Sequence, residues 1–296
     1  MSPTVAVLGP GAVGGALAVR LASNGVRVVC VAHAEAAGLI ALAGLVVDSP
    51  EGTSSARLEV VEQLSKPVRV LLVTVKAPAL PDAIKRVDPE AVSEGVVVPL
   101  LNGLEHMEPL RERFGDRVVA GSISHFQAYR AGRVQIIEAT GAPVVTIASE
   151  TVPRSEVDAV AELLRKARID VRVAQSEKRV LWNKLARIAP LSAASAATGR
   201  SVGELRADPK WRPRLESAVA EACEVAAADG VSLRPATQWT IIDEMAAETT
   251  PSAARDIASG RRSELDAIAG SVLRAADRLG VPCPALTDLA VAAGLR

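Results

Sequence analysis

The sequence predicts an α/β fold in which a doubly wound parallel sheet is followed by an all-helical domain. Up to about residue 175, short Val- and Leu-rich runs alternate with Ala- and Leu-rich stretches of helical length, which is typical of βαβ units. Beyond that point the strand pattern ends, and helical stretches punctuated by glycine replace it. We therefore place the domains at residues 1–175 and 176–296.

The elements of the first domain follow from four apolar runs, whose composition suits strands that are buried on both faces. These strands are expected at 4–8, 26–32, 68–75 and 95–100. Helices are expected at 12–23 and 77–87. Strand-like pieces over 117–147 indicate a mixed or antiparallel extension of the sheet. The domain then closes with a helix at 155–166 and a strand at 169–174.

The second domain is expected to consist of helices that end near glycines. They are placed at 177–197, 212–229, 236–248, 251–259 and 263–279. The residue types predict Thr250 as the N-cap of the fourth helix, with Pro251 at its first position. They predict Ser263 as the N-cap of the fifth.

Composition excludes several classes of function. The 34 basic and 34 acidic residues give no net charge, which argues against nucleic acid as a partner. No apolar run reaches the length of a membrane span, and the first residues lack the basic region of a signal peptide. Three scattered cysteines suit a reducing cytoplasm, and no zinc-type spacing is present, so no metal is expected. We expect a cytoplasmic protein that handles small molecules, with a homodimer left open.

A glycine-rich loop lies between the first predicted strand and the first predicted helix. It consists of Gly9, Pro10, Gly11, Ala12, Val13 and Gly14. In a G-x-G-x-x-G loop the first glycine allows the tight turn, the second allows backbone to approach a pyrophosphate, and the third allows close helix–strand packing. An ordinary Gly-rich turn is the alternative, but the position between strand and helix favours dinucleotide binding.

The choice of cofactor depends on the end of the second strand, where an acidic residue would repel a 2′-phosphate. This position holds His33, with Glu35 two residues further on. We therefore favour NADP, with His33 as the phosphate contact. Glu35 keeps NAD open, and His33 can also be read as a solvent-exposed loop residue.

Three polar residues stand out downstream. Lys76 and Asn102 each follow an apolar strand, so both are expected at the carboxyl edge of the sheet, where ligands of open α/β folds bind. Lys184 lies within an apolar helix, where burial would lower its pKa and make it a proton donor near neutral pH. The alternatives are solvated loop residues for the first two, and a lysine whose stem covers apolar surface for the third.

These segments together resemble the ketopantoate reductase (2-dehydropantoate 2-reductase) family over essentially the full length of the chain. The matching pieces are GPGAVG (9–14), LLVTVKA (71–77), LNGLE (101–105), LWNKLA (181–186), ATG…GEL (197–205), PSAARDIASGRRSELDAIAG (251–270) and GVPCP (280–284). The resemblance implies a Rossmann-type doubly wound domain joined to an all-helical domain. It also implies NADPH-dependent reduction of a 2-keto acid substrate to a 2-hydroxy acid.

The resemblance further implies roles for particular residues. Lys184 would be the general acid, and Glu264 would bind the substrate hydroxyl and help position the lysine. Asn102 and Lys76 would orient cofactor and substrate, and Asn102 would contact both. Ser252 would help to hold the substrate.

The chain departs from the family pattern in the residues expected to contact the substrate. The family commonly has asparagines four and eight positions after the lysine, where this chain has Ile188 and Ser192. His33 likewise stands where arginine is expected. The reaction class is thus retained while the substrate contacts differ. Two alternatives stay open: a reductase of a different, more apolar 2-keto acid, and a catalytically silent NADP-binding sensor. A third, a β-hydroxyacid-type dehydrogenase, is less favoured because the Glu264 segment and the KA and NG strand ends match the ketopantoate reductase pattern.

Overall fold

A computed structural model describes residues 4–295. Residues 1–3 and 296 lie outside the described part, so the expectation about a signal peptide falls partly outside it. The chain divides into two units. The first runs to Leu101 and resumes over His106–Val180, and the second comprises Asn102–Glu105 together with the residues from Leu181 onward. Four residues from the middle of the chain therefore group with the C-terminal helices.

The strands and helices of the first unit alternate as expected over its opening part. In chain order they are β1 (Thr4–Leu8), α1 (Ala12–Ser23), β2 (Arg27–Val31), α2 (Ala34–Ala43), β3 (Leu45–Ser49), β4 (Gly52–Ala56), β5 (Glu59–Val61), β6 (Val70–Val73), α3 (Leu80–Ala83), β7 (Val96–Pro99), α4 (Met107–Phe114), β8 (Ala120–Ser124), β9 (Ala128–Arg130), β10 (Gln135–Glu138), β11 (Val144–Ala148), α5 (Arg154–Arg165) and β12 (Asp170–Val173).

The helices of the second unit carry its core. They are α6 (Glu177–Thr198), α7 (Val202–Ala207), α8 (Trp211–Ala228), α9 (Pro235–Glu244), α10 (Ser252–Ala258), α11 (Ser271–Leu279) and α12 (Pro284–Ala292). Trp182 is fully buried in this core, and its indole N–H donates to Asp229 Oδ2 at 2.8 Å. Neither α7 nor α12 is among the predicted helices. Within residues 4–295, no helix is long and apolar enough to cross a membrane.

A five-stranded parallel sheet forms the centre of the first unit, in the order β5-β2-β1-β6-β7. β1 pairs in parallel with β2 on one side and with β6 on the other, so the connections reverse direction at β1. β6 and β7 are buried along their whole length, as their unbroken apolar sequences predict. The predicted α/β class, with a parallel sheet and a helical C-terminal part, is confirmed.

The expected extension of this sheet is instead two further sheets, with orders β4-β3-β10-β9 and β12-β11-β8. β3 and β4 form an antiparallel hairpin that the sequence does not predict. β4 is exposed and has the sequence GTSSA, so it shows no alternation of apolar and polar residues. β4 is held in place by backbone pairing with β3, which amino-acid composition does not predict.

Three helix predictions need correction. The helix expected at 77–87 is a chain of short pieces, two of them 3₁₀ turns, because Pro78 and Pro81 lack the N–H groups that a continuous helix needs. α10 begins one residue later than predicted, with Pro251 rather than Thr250 at the N-cap.

Ser263 is not the N-cap of a helix, contrary to the prediction. Its hydroxyl accepts from the backbone N–H of Leu265 at 3.2 Å and donates to the carbonyl of Ala253 at 3.0 Å. Helical structure begins at Leu265 and passes through a single π-helical turn, Asp266–Gly270, before α11. Such π turns are found frequently at functional sites.

Candidate active site

The turn between β1 and α1 is built for close packing. Gly9 has φ +84°, a conformation that favours glycine, and a side chain there would collide with Val75. A side chain on Gly14 would collide with the hydroxyl of Thr74 and with the carbonyl of Gly9. These two glycines are therefore required by the fold of the loop itself.

Thr74 holds this turn in place. Its Oγ1 lies 3.0 Å from the carbonyl oxygen of Leu8 and 2.9 Å from that of Gly9, so the hydroxyl can donate to either. The sequence analysis did not single out this residue. The available signal was a threonine near the end of an apolar strand, next to the strand that leads into the glycine loop.

Gly11 differs from Gly9 and Gly14 because the described residues leave room for a side chain there. A Cβ on Gly11 would meet only the carbonyl oxygen of Gly9, at 3.9 Å, and its φ is −74°. Gly11 is also the N-cap of the 12-residue helix α1, and no side chain caps that end. Open space in front of a helix N-terminus fits the pyrophosphate of a dinucleotide.

Two sequence-predicted cofactor residues follow the carboxyl ends of strands in the same parallel sheet. His33 follows β2 and caps α2, with its Nδ1 accepting from the N–H of Ala36 at 3.5 Å. Lys76 follows β6 and is exposed. Glu35, whose charge kept NAD open, forms an exposed ion pair of 3.0 Å with Arg133. Contact between these residues and a cofactor stays a prediction.

In the second unit, the lysine predicted as proton donor contacts another predicted site residue, although the sequence analysis did not predict that contact. Lys184 lies on α6, is partly buried, and its Nζ donates to Asn102 Oδ1 at 2.7 Å. Eighty-two positions separate these residues in sequence. They come together because Asn102 belongs to the short segment that groups with the second unit.

The surroundings of Lys184 lower its pKa. The pKa falls from 10.5 to about 8, and the largest cause is burial, because the charged form loses solvation. The positive charge of Arg187 acts in the same direction, whereas the carboxylate of Glu264 opposes it. A lysine with such a pKa can both hold and release a proton near neutral pH.

A buried polar network that the sequence analysis missed lies beside this lysine. Arg187 is 8% exposed and its Nη1 donates to Gln238 Oε1 at 3.1 Å and to the carbonyl of Asn183. Gln238 Nε2 in turn donates to Asn183 Oδ1 at 3.1 Å. The buried Nε of Arg187 has no hydrogen-bond partner among the described residues. One turn of helix thus carries two cations.

The remaining predicted residues occupy different environments. Glu264 is buried, 7% exposed, and lies two residues before the π-helical turn. Ile188 is partly buried against the core of the second unit, and Ser192 is 2% exposed. Ser252 is exposed at the first position of α10. Their contacts with a substrate stay predictions.

Comparisons with known proteins identify the class and then the family. The family description "Ketopantoate reductase PanE/ApbA" matches residues 5–149, and "Ketopantoate reductase PanE/ApbA C terminal" matches residues 178–294. The protein is therefore an oxidoreductase of a class that uses a nicotinamide cofactor. More narrowly, the chain belongs to the ketopantoate reductase family, whose reaction serves pantothenate biosynthesis.

Individual relatives agree with this assignment. A 2-dehydropantoate 2-reductase of Caulobacter vibrioides is 28% identical over 287 residues, which cover 95% of each chain. A PanE/ApbA family ketopantoate reductase from Ralstonia eutropha is 26% identical, with a TM-score of 0.88 over 99% of this chain and 97% of that one. D-mandelate dehydrogenase, solved with NADH and anilino(oxo)acetate, shares the fold at 20% identity, with a TM-score of 0.88 over 98% and 97%.

Proposed function

We propose that the protein is a cytoplasmic enzyme that uses NADPH to reduce a 2-keto acid, 2-dehydropantoate or a close analogue, to the 2-hydroxy acid, pantoate or its counterpart. The observation that carries this proposal is the placement of Lys184, whose Nζ is held by Asn102 and whose pKa lies at about 8. A ketone reductase needs such a proton donor.

The chain's own residues account for the acid half of the reaction. When bound, the nicotinamide supplies the hydride. Lys184 donates a proton to the ketone oxygen, where negative charge develops, and so stabilises the transition state. Asn102 holds Nζ in place through the hydrogen bond to its Oδ1. The Glu264 carboxylate favours the charged form of the lysine, and it is suited to accept a hydrogen bond from the substrate.

Binding of the cofactor is assigned to the first unit, where the Gly9–Gly14 loop would receive the pyrophosphate and Lys76 would be a further contact. The preference for NADP rests on His33 and on the pairing of Glu35. Because Arg133 offsets the charge of Glu35, the end of β2 presents less negative charge to a 2′-phosphate than the sequence suggests.

A panel of 2-keto acids assayed with NADPH and with NADH tests the proposal. We expect turnover with NADPH, and loss of 10²- to 10⁴-fold in kcat for Lys184→Ala, because general acid catalysis contributes about that much. Lys178→Ala is the matched control, since Lys178 is an exposed lysine on the same helix. Intact NADPH binding without turnover on any 2-keto acid would overturn the proposal and favour the sensor alternative.

A second candidate is reduction of a more apolar 2-keto acid. Ile188 supports it, because the resemblance places an asparagine there and an apolar side chain cannot hydrogen-bond a substrate hydroxyl. D-mandelate dehydrogenase, which has the same fold, is named for a substrate with an aromatic side chain. The ratio of kcat/KM for 2-dehydropantoate to that for 2-oxoisovalerate or phenylglyoxylate separates the candidates.

A further inference from the structure

The segment that carries Asn102 is fastened at its other end by an arginine. Arg274, on α11, donates from Nε to Glu105 Oε1 and from Nη2 to Glu105 Oε2, both at 2.7 Å. This is the two-pronged geometry that makes arginine–carboxylate pairs directional. Because both contacts involve one carboxylate, they fix the orientation of the Glu105 carboxylate as well as its position.

The same arginine is tied to the π-helical turn. Its Nη1 donates to Asp266 Oδ1 at 2.8 Å, and its Nη2 donates to the backbone carbonyl of Asp266 at 3.2 Å. A side chain on Gly270 would collide with the Asp266 carboxylate and crowd Arg274 Nη1. The turn is therefore shaped to admit this guanidinium.

The segment and the turn also meet through backbone. Gly103 has φ +95°, and any side chain there would collide with the carbonyl oxygen of Ala267, in the middle of the π-helical turn. Asn102 directly precedes this contact, and Glu105 follows it by two residues. The segment Asn102–Glu105 is thus held against the turn at two points, with Leu104 packed on the core of the second unit.

We propose that Arg274 is a positioning residue for the proton donor, acting through Glu105 and the π-helical turn to hold Asn102 where its Oδ1 accepts the hydrogen bond from Lys184 Nζ. The inference rests on the proposed function of Lys184 and adds Arg274, Glu105 and Asp266 to the residues on which it depends. None of the three need touch substrate.

The exposure of these charged side chains indicates a role in positioning Asn102 rather than in folding stability. The side chains of Arg274 and Glu105 are 45% and 50% exposed, and that of Asp266 is 68% exposed. Ion pairs this exposed add little to folding stability. Loss of the network should therefore affect catalysis far more than unfolding.

The test combines Arg274→Met with Asn102→Ala. We expect Arg274→Met to lower kcat about 10-fold with a smaller change in KM, because misplacing a catalytic group by less than an ångström has effects of that order. The midpoint of thermal unfolding should stay close to that of the wild type. If Arg274 acts through Asn102, adding Arg274→Met to Asn102→Ala should cost no further activity. Arg278→Met, on the same helix, is the control and should change nothing.

Glu105→Gln supplies a second arm. Its kcat should fall by the same factor as that of Arg274→Met. The double variant should have the same kcat as either single variant, because both substitutions break the link between Arg274 and Glu105. Arg274→Lys, which cannot make the two-pronged contact, should recover only part of kcat. Additive losses in kcat, or a large loss of thermal stability with each variant, would overturn the proposal.

A readout without substrate keeps this inference distinct from the proposed function. An NMR titration of the Lys184 Nζ in ¹⁵N-lysine-labelled protein should show a different pKa in Arg274→Met from that in Arg278→Met, because a loosened segment changes both the hydration of the lysine and its hydrogen bond to Asn102. An unchanged titration would contradict the positioning role even in a fully active enzyme. If no 2-keto acid is turned over but the titration shifts, the proposed function fails and the positioning role stands.

Discussion

Arg187 lies three residues beyond Lys184 on α6, and its buried guanidinium lowers the pKa of that lysine. The arginine is held by Gln238 and by the carbonyl of Asn183. Its own pKa is lowered by desolvation. Two cations thus share one turn of α6, which we expect to favour an anionic substrate, although the whole chain carries no net charge.

The first prediction concerns pH. Lys184 donates only when protonated, so kcat/KM for reduction should be level at low pH and fall as pH rises through about 8. Arg187→Met removes a charge that lowers the pKa, so the fall should move to higher pH. Glu264→Gln removes a charge that raises the pKa, so the fall should move to lower pH, together with a lower maximal rate. Rate profiles between pH 6 and 10.5 test this, and shifts in the same direction for both variants would refute it.

The second prediction is that Lys184→Met stabilises the protein while abolishing turnover. The pKa of Lys184 is lowered on folding from 10.5 to about 8, so below pH 8 the folded state holds a desolvated charge. Removing it should raise the free energy of unfolding at pH 7 by about 1–3 kcal/mol, allowing for partial exposure. The wild type regains this stability as pH rises from 8 to 10.5, so the difference should vanish there. Denaturant unfolding at pH 7 and 10.5 measures it, and Lys178→Met should show no such gain.

The third prediction contrasts two glycines of the same loop. Gly14→Ala should destabilise the protein by about 1–3 kcal/mol, since its Cβ would collide with Thr74 and with the carbonyl of Gly9. Gly11→Ala should leave stability within about 0.5 kcal/mol, because its surroundings in the protein are open. It should nevertheless weaken NADPH binding about 10-fold or more, because the methyl group enters the space assigned to the pyrophosphate. Thermal unfolding and fluorescence titration of NADPH give the two quantities, and equal effects from both variants would contradict the assignment.

The fourth prediction addresses the substrate. Ile188→Asn restores the residue type that the resemblance places four positions after the lysine. We expect it to raise kcat/KM for 2-dehydropantoate relative to 2-oxoisovalerate by about 10-fold, because a polar pocket discriminates by hydrogen bonds that an apolar one cannot make. Ile188→Val serves as the control and should leave the ratio unchanged. If Ile188→Asn leaves this ratio of kcat/KM values unchanged, residue 188 does not determine the preference between the two substrates.

The fold was predictable where local sequence determines it. β1 and α1 have the predicted bounds, because an apolar run defines the strand and the glycine loop separates it from the helix. β4 was not predictable, since its Ser, Thr and Gly residues are polar and exposed. The π-helical turn was missed for another reason: SELDAIAG reads as an ordinary helix start, and only the contacts of Arg274 and Gly103 distinguish it.

Individual site residues could be predicted from the sequence more readily than the contacts between them. The glycine loop follows from spacing, and the separate roles of Lys184 and Asn102 rested on resemblance. Their contact was not predicted, because no local pattern links residues 82 positions apart. The pairing of Arg274 with Glu105 spans 169 positions and carries no motif. Gln238 and Arg187 were passed over for the same reason, as each alone reads as an ordinary helical residue.

The membership of Asn102–Glu105 in the second unit has a consequence for protein engineering. A fragment cut to begin at Leu181 would contain the lysine proposed as proton donor but lack the asparagine that accepts its hydrogen bond and the glutamate that pairs with Arg274. Chimeras between family members face the same constraint: exchanging the C-terminal part alone would pair one parent's lysine with the other parent's asparagine. A functional exchange has to transfer those four residues as well.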